Sequence, residues 1–201
     1  MDLRPAAPTD VGHLAELMFL EPSPEAVAMA GGADRARRLE EETLRYSQQS
    51  PASELTVAVD DDTVVGFVLV SAGGDTPPLR RLLGQSVRAM GVVGTIRAAW
   101  RARARRVVDL RPPPGGLHVV ELQVHPGRRG QGIGGQLLAE AERSARARGV
   151  AHLSLTTAST NPARRLYERH GYEVVEERAD ARYERMTGVP GRVLMVKSLH
   201  A

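Results

Sequence analysis

The chain has 201 residues, 42% of them hydrophobic and 25% charged, proportions that suit one soluble globular domain with a sizeable core. It has no cysteine, which excludes disulfides, a cysteine-based metal site and an acyl-cysteine intermediate. The start is polar and no apolar run is long enough to span a bilayer, so neither a secretory leader nor a membrane span is expected and cytoplasm is the default location. The net charge of +3 hides an asymmetry: nine arginines and one acid, Asp109, lie between Arg80 and Arg111, while Lys197 is the only lysine of the chain. That segment carries +8 and the remainder 3 − 8 = −5, a mildly acidic body with one basic stretch.

In chain order, Leu3 to Ala6 reads as a short first strand. Thr9 or Asp10 can cap a helix carrying Val11, Leu14, Leu17 and Met18. Ser23 caps a second helical region, broken at Gly31-Gly32 and resumed from Ala33 to about Gln48. Leu55 to Val59 and Thr63 to Ser71 alternate as a hairpin around Asp60-Asp61-Asp62. The three aspartates read as a solvated turn, because the other ligands of a calcium loop are missing.

Some forty residues from Ala72 to Gly116 form an insertion, ending in Pro112-Pro113-Pro114-Gly115-Gly116, a stiff linker. Leu79, Leu82, Leu83, Val87, Met90, Val93, Ile96 and Trp100 recur at three to four residues, which predicts one long helix or two over about 75–114. The expectation is an amphipathic insertion lying on the body with a solvated basic face. A homodimer contact or a lid over the substrate cleft comes second. Nucleic-acid or membrane-surface binding comes last, and neither partner is expected.

Leu117 to Val124 is dense in apolar and β-branched residues, with Glu121 and Gln123 on one side and Leu122 and Val124 on the other. Pro126 ends it. From Ile133 the period becomes helical through Leu137, Leu138, Ala141 and Ala145, with Gly149 as a stop. The turn between holds Gly127, Gly130, Gly132, Gly134 and Gly135. Glycines let backbone approach a ligand, and a helix N-terminus offers unpaired N–H groups that suit a phosphate. His152 to Thr157 is the next strand. Asn161 can cap a short helix with Pro162 at its first position, ending at His170-Gly171. Tyr172 to Glu177 is a strand, Asp180 to Gly191 a loop, and Arg192 to Leu199 the last strand.

The string V-H-P-G-R-R-G-Q-G-I-G, with Arg129-Gly130-Gln131-Gly132-Ile133-Gly134 at its centre, resembles the acetyl-CoA motif of the GCN5-related N-acetyltransferase (GNAT) family. A second piece, N-P-A-R-R-L-Y-E-R-H-G-Y from Asn161 to Tyr172, follows at the family's usual distance. The two motifs with their intervening strand cover about a third of the chain. The resemblance implies an α/β (α+β) acyl-CoA N-acyltransferase fold: one domain over 1–201, with a mixed, mostly antiparallel sheet of about seven strands and flanking helices. The early helices would border the acceptor pocket.

The resemblance also assigns a site for acetyl-CoA as co-substrate, with no metal. The backbone of Leu122, Gln123 and Val124 would pair with pantetheine, and the Val124 N–H would face the reacting carbonyl. The amides of Gly130, Gln131, Gly132, Ile133, Gly134 and Gly135 would hold the diphosphate, Arg129 would support that loop, and Asn161 would contact CoA or serve only as a cap. Tyr167 matches the family's general acid. Glu121 is the candidate base, directly or through water, since the strand Leu153-Ser154-Leu155-Thr156-Thr157 offers no carboxylate; His125 is a weaker one. The expected activity is acetyl transfer to a primary amine, of a small molecule or a protein N-terminus, by direct attack in a ternary complex. The basic insertion favours a neutral or acidic acceptor over a polycation. The alternative is a non-enzymatic acyl-CoA-binding regulator.

Overall fold

The structure is a computed structural model, which describes residues 1–72 and 78–199; residues 75–77 of the expected insertion lie outside the described ones. The described residues form seven strands, β1 (Asp2–Pro5), β2 (Ser53–Asp60), β3 (Thr63–Ala72), β4 (Leu117–Val124), β5 (His152–Ala158), β6 (Glu173–Ala179) and β7 (Gly191–Ser198), and seven α-helices. The helices are α1 (Val11–Met18), α2 (Pro24–Ala30), α3 (Ala33–Gln49), α4 (Leu79–Val108), α5 (Ile133–Ala147), α6 (Arg164–Arg169) and α7 (Ala181–Thr187). The strands form one sheet in the order β1-β2-β3-β4-β5-β7-β6. Only β4 and β5 run parallel, joined by the crossover helix α5. The mixed, mostly antiparallel seven-strand sheet expected from the sequence is the one observed.

Alternation along the strands builds a core on each face of the sheet. On one face, Val68, Val70, Leu117, Val119, Leu153, Leu155 and Met195 pack against Ile133, Leu137, Leu138 and Ala141 of α5. On the other, Leu55, Val57, Phe67 and Leu69 pack against Leu14, Leu17 and Leu44 of α1 and α3. The β2–β3 turn closes with Asp60 opposite Thr63, and Asp61 and Asp62 both adopt positive φ, 47° and 61°. That is the two-residue turn whose twist matches a hairpin, and aspartate tolerates the left-handed region it needs.

The central irregularity lies in β4. Leu69 pairs with Glu121 and Val70 with Val119, so Val120 is an extra residue, a β-bulge. The parallel pairing with β5 reaches only from Leu117–Leu153 to Val119–Leu155. Beyond the bulge, the β5-facing edge of β4 has no strand partner among the described residues.

Three expectations are corrected. The segment after Asp180 is a helix, not a loop: Asp180 accepts from the N–H groups of Arg182 and Tyr183, both at 2.8 Å, and Gly188 ends the helix in the left-handed region. A cap and one fully buried aromatic, Tyr183, are enough to order it. Asn161 is not the cap of α6, which starts at Arg164 after Ala163; Asn161 shapes the turn before it.

The third correction concerns α4. Its backbone breaks at Gly91 (φ 72°, ψ 172°), giving two helical arms. Of the stripe Leu79, Leu82, Leu83, Val87, Met90, Val93, Ile96 and Trp100, only Met90 is buried. The helix instead meets the body through Gln85, Ala89, Met90, Gly94 and Val108. Small and polar residues allow the closest approach to α2 and α3, and the apolar stripe is left outside.

Candidate active site

The bulge in β4 sets the site. Leu122 and Val124 turn to the α5 core, while Glu121 and Gln123 turn to the opposite face. The His125 N–H donates to the Val65 carbonyl at 2.8 Å. N–H groups alternate between the two edges of a strand. The Val124 N–H therefore points away from β3, toward the edge that β5 has abandoned. The structure brings an extended backbone with free polar groups to the mouth of a slot between β4 and β5.

Glu121 stands at this slot with its carboxyl pushed up to about 7. Burial is the main cause and the nearby Glu40 carboxylate the second. The Gln123 amide, donating to Glu121 Oε1 at 2.9 Å, and Arg192 pull the other way. Glu40, on α3, is itself pushed up by burial and held back by Arg105 of α4. Three elements distant in sequence thus meet at one carboxylate pair. Glu40 had a signal in the sequence that was not read: it stands four residues from buried Ala36 and four from buried Leu44, on the inward stripe of α3, whereas neighbouring Glu41 and Glu42 pair with Arg45.

Tyr167, 6% exposed, lies within electrostatic reach of Glu121 and meets Tyr172 edge-on, ring centres 6.1 Å apart. Burial first, and the Glu121 charge second, push its hydroxyl well above the ordinary tyrosine value. A neutral donor and a carboxyl that ionises near neutrality therefore share the slot. Arg192 closes the floor, donating to Glu25 Oε1 at 2.6 Å and tying β7 to α2. His118, bonded to Ser154 Oγ at 2.9 Å, is held down to about 4 by burial and then Arg192, so it stays neutral.

The glycine-rich turn divides its labour. Gly130 and Gly132 have φ of 78° and 82°, a region where a side chain is strained. Gly134 and Gly135 are helical and small for packing: a Cβ would meet Leu166 at 3.0 Å and the His170 ring at 2.9 Å. The first intrahelical bond closes from the Gln136 N–H to the Gly132 carbonyl at 3.1 Å. The N–H groups of Ile133, Gly134 and Gly135 precede it and have no intrahelical acceptor. Together with the dipole of a fifteen-residue helix, they fit a diphosphate.

The other expected residues lie around this turn and the slot. Arg129 pairs with Glu21 at 2.6 Å and so ties the turn to the α1–α2 loop. The Gln131 side chain is exposed. The Asn161 amide donates to Thr157 Oγ1 at 2.6 Å, and its carbonyl oxygen accepts from the Ala163 N–H at 2.9 Å. His125 Nδ1 accepts from the Gly127 N–H at 3.1 Å and caps the short turn after β4. Among the described residues, no group of three or more His, Asp or Glu is placed to hold a metal.

This architecture has wide parallels. The chain superposes on a GNAT-family protein from Desulfovibrio desulfuricans with a TM-score of 0.61 at 19% identity, covering 99% of each chain. It superposes on an aminoglycoside 6'-N-acetyltransferase in complex with coenzyme A at 0.61 and 19%, over 100% of this chain and 98% of that one. The ribosomal-protein-S18-alanine N-acetyltransferase of Escherichia coli gives 0.61 and 15%, over 100% and 94%. No curated protein matches the sequence. The family model described as the acetyltransferase (GNAT) family matches residues 26–172, most of the chain. With the bulged central strand, the abandoned β4 edge and the glycine turn leading into α5, the chain belongs to the GNAT family of acetyl-CoA-dependent N-acetyltransferases.

Proposed function

We propose that the chain transfers the acetyl group of acetyl-CoA to a primary amine in a ternary complex, with Glu121 as base and Tyr167 as acid. The observation that carries this reading is the unpartnered edge of β4 leading into the free amides of the glycine turn, with Glu121 and buried Tyr167 within electrostatic reach of each other at that edge. Acetyl-CoA supplies the activated acyl carbon. Its pantetheine arm takes the strand position that β5 leaves open along Leu122–Val124, and its diphosphate takes the free amides between Gly130 and Gly135.

An amine attacks only through its lone pair, so the ammonium must first lose a proton. Glu121, directly or through a water, accepts it; a base with a pKa near the working pH combines availability with driving force. The Val124 N–H steadies the carbonyl oxygen as it gains negative charge. As the nitrogen–carbon bond forms and the carbon–sulfur bond breaks, Tyr167 gives its proton to sulfur. An amine acceptor is in keeping with the neighbours' own substrates, an aminoglycoside and a ribosomal-protein alanine. The carboxylate pair Glu121 and Glu40 favours a cationic group at the reacting end of the acceptor, although Arg105 of the insertion offsets part of the Glu40 charge.

The test is a screen of primary amines read by release of the CoA thiol, run beside a CoA titration. Tyr167→Phe is expected to reduce turnover roughly 100-fold while CoA affinity changes little. Tight CoA binding with no turnover on any amine, by wild type and variant alike, would favour an acyl-CoA-binding regulator instead.

A further inference from the structure

Nine of the fourteen large hydrophobic residues exposed on the described surface belong to one helix, α4: Leu79, Leu82, Leu83, Val87, Val92, Val93, Ile96, Trp100 and Val107. A stripe this continuous is not the scatter that normal surfaces carry. In the second arm, at ~100° per residue, Val92, Val93, Ile96, Trp100 and Val107 fall within a sector of roughly 100°. Ile96 is 61% exposed and Trp100, at 78%, is the most exposed of the nine. The opposite side is spoken for. Gly94 and Val108 are buried, Ala98 packs on the α2–α3 cluster, Arg101 lies against Gly31, and Arg105 reaches toward Glu40.

Charge distinguishes this face from an ordinary protein contact. Residues 79–108 contain eight arginines and no acid. Arg88 is tied to Glu42, and Arg81 to Gln49 and the Tyr46 ring. Arg97 and Arg106 border the apolar sector on its two sides, Arg103 sits within it, and all three are exposed with no ion-pair partner among the described residues. A second copy of α4 laid on this stripe would bring arginine rows against arginine rows. A nucleic acid would leave the apolar centre without a partner and finds one aromatic side chain to stack on.

We propose that the outward face of α4 docks on the surface of an anionic lipid bilayer. A bilayer offers negative headgroups for arginines at the rim and an apolar interior for the stripe between them. Arginine stems can lie along the apolar surface with their heads in the headgroup layer, and Trp100, toward the Arg97 edge, suits the boundary between the two zones. No described helix is long and apolar enough to cross a membrane, so the mode is lying on the surface. This differs from the expectation that the insertion would meet no membrane; the reversal comes from the apolar stripe, which packing leaves outside. The proposal does not rest on the acetyl-transfer reading, and its test needs no turnover.

Trp100 is the only tryptophan of the chain, so tryptophan emission, excited selectively over tyrosine, reports this face alone. The full chain would be titrated with large vesicles of phosphatidylcholine, with and without phosphatidylglycerol, and co-flotation would be followed in parallel. The expected result is a blue shift and flotation with the anionic vesicles only, weakened by salt. Replacing Arg97, Arg103 and Arg106 together by Gln should cut partitioning by roughly 100-fold, at ~1 kcal/mol per arginine, with CoA affinity unchanged; these exposed side chains are not needed for folding. Ile96→Asp should weaken binding to the same vesicles while leaving every arginine in place. The proposal is overturned if anionic vesicles leave the emission unmoved, or if the shift occurs without lipid as the mass doubles with protein concentration. It is equally overturned if only nucleic acid or an acidic protein moves the emission.

Discussion

The slot between β4 and β5 and the helix α4 are built on opposite principles. The slot is made of backbone: a bulge at Val120, a strand edge with no neighbour, and helix amides that no carbonyl satisfies. Side chains only tune it. The outward face of α4 is made of side chains on a regular backbone interrupted once, at Gly91. Backbone recognition demands particular residues at fixed spacing, because glycine conformations and strand irregularities tolerate few substitutes. Side-chain recognition demands only a kind of residue on one face, and many sequences satisfy it. A cofactor shared by a whole family suits the first kind of site, and a partner peculiar to one chain suits the second.

The sharpest way to test this contrast is to replace the side chain that tunes the slot most. Glu121→Gln should lower turnover by roughly 100-fold or more and abolish the rise of activity through about pH 7 that the ionisation of Glu121 predicts, while CoA affinity holds. Stability should move the other way. The folded carboxyl titrates near 7 and the unfolded one near 4.5, so between those values the folded state holds more protons. Wild-type stability therefore falls as pH rises through that window and stays low above it. Glutamine carries no such penalty, and above pH 7 the variant should be more stable by on the order of 2 kcal/mol for this partly buried group, and so unfold at a higher temperature. A variant less stable than wild type at pH 8 would show that Glu121 is held by partners rather than strained by burial.

A second substitution separates the two roles of the glycines. Gly132→Ala forces a side chain into φ 82° at the N-terminus of α5, where open space surrounds the added carbon. The cost is conformational, about 1–2 kcal/mol, and a shifted turn should weaken CoA binding roughly tenfold. Gly135→Ala has no such strain and instead presses on His170. It should lower the melting temperature with less effect on CoA. Titration of CoA against both variants, beside their melting curves, checks the division.

This division also explains what was legible. The β4–turn–α5 unit could be read from residues 117–148 because its constraints are local, and the hairpin could be read from its own alternation; the strand order, which depends on long-range pairing, could not. The bulge at Val120 could not: nothing in L-H-V-V-E-L-Q-V says which residue is extra, and the answer comes from pairing with β3. α7 was missed because its evidence is a cap and one tyrosine whose burial depends on distant α2 and on Val108 of α4. For α4 the period was right and the direction wrong. Periodicity shows that one face is apolar, but what it faces depends on the closeness of approach that Ala89 and Gly94 permit. Glu40 stood among three consecutive glutamates, and only its four-residue spacing to Ala36 and Leu44 marked it.

Glu40 supplies the smallest and most specific prediction, because it is where the two regions touch. It raises the Glu121 carboxyl through space, and Arg105 of α4 faces it in turn. Glu40→Gln removes one negative neighbour without emptying the volume. The acid limb of the kcat/KM profile should shift to lower pH by less than a unit, as suits a through-space effect secondary to burial, and maximal turnover should change little. Arg105→Gln removes the charge that holds Glu40 in its ionised form. Glu40 then stays protonated over more of the range, so this substitution should move the limb in the same direction. If the two changes act through the one carboxylate, the double variant shifts no further than Glu40→Gln alone, since the charge Arg105 governs is already gone. Additive shifts would mean instead that α4 reaches Glu121 by a route of its own, and that the side-chain region takes part in the chemistry of the slot rather than adjusting it through Glu40.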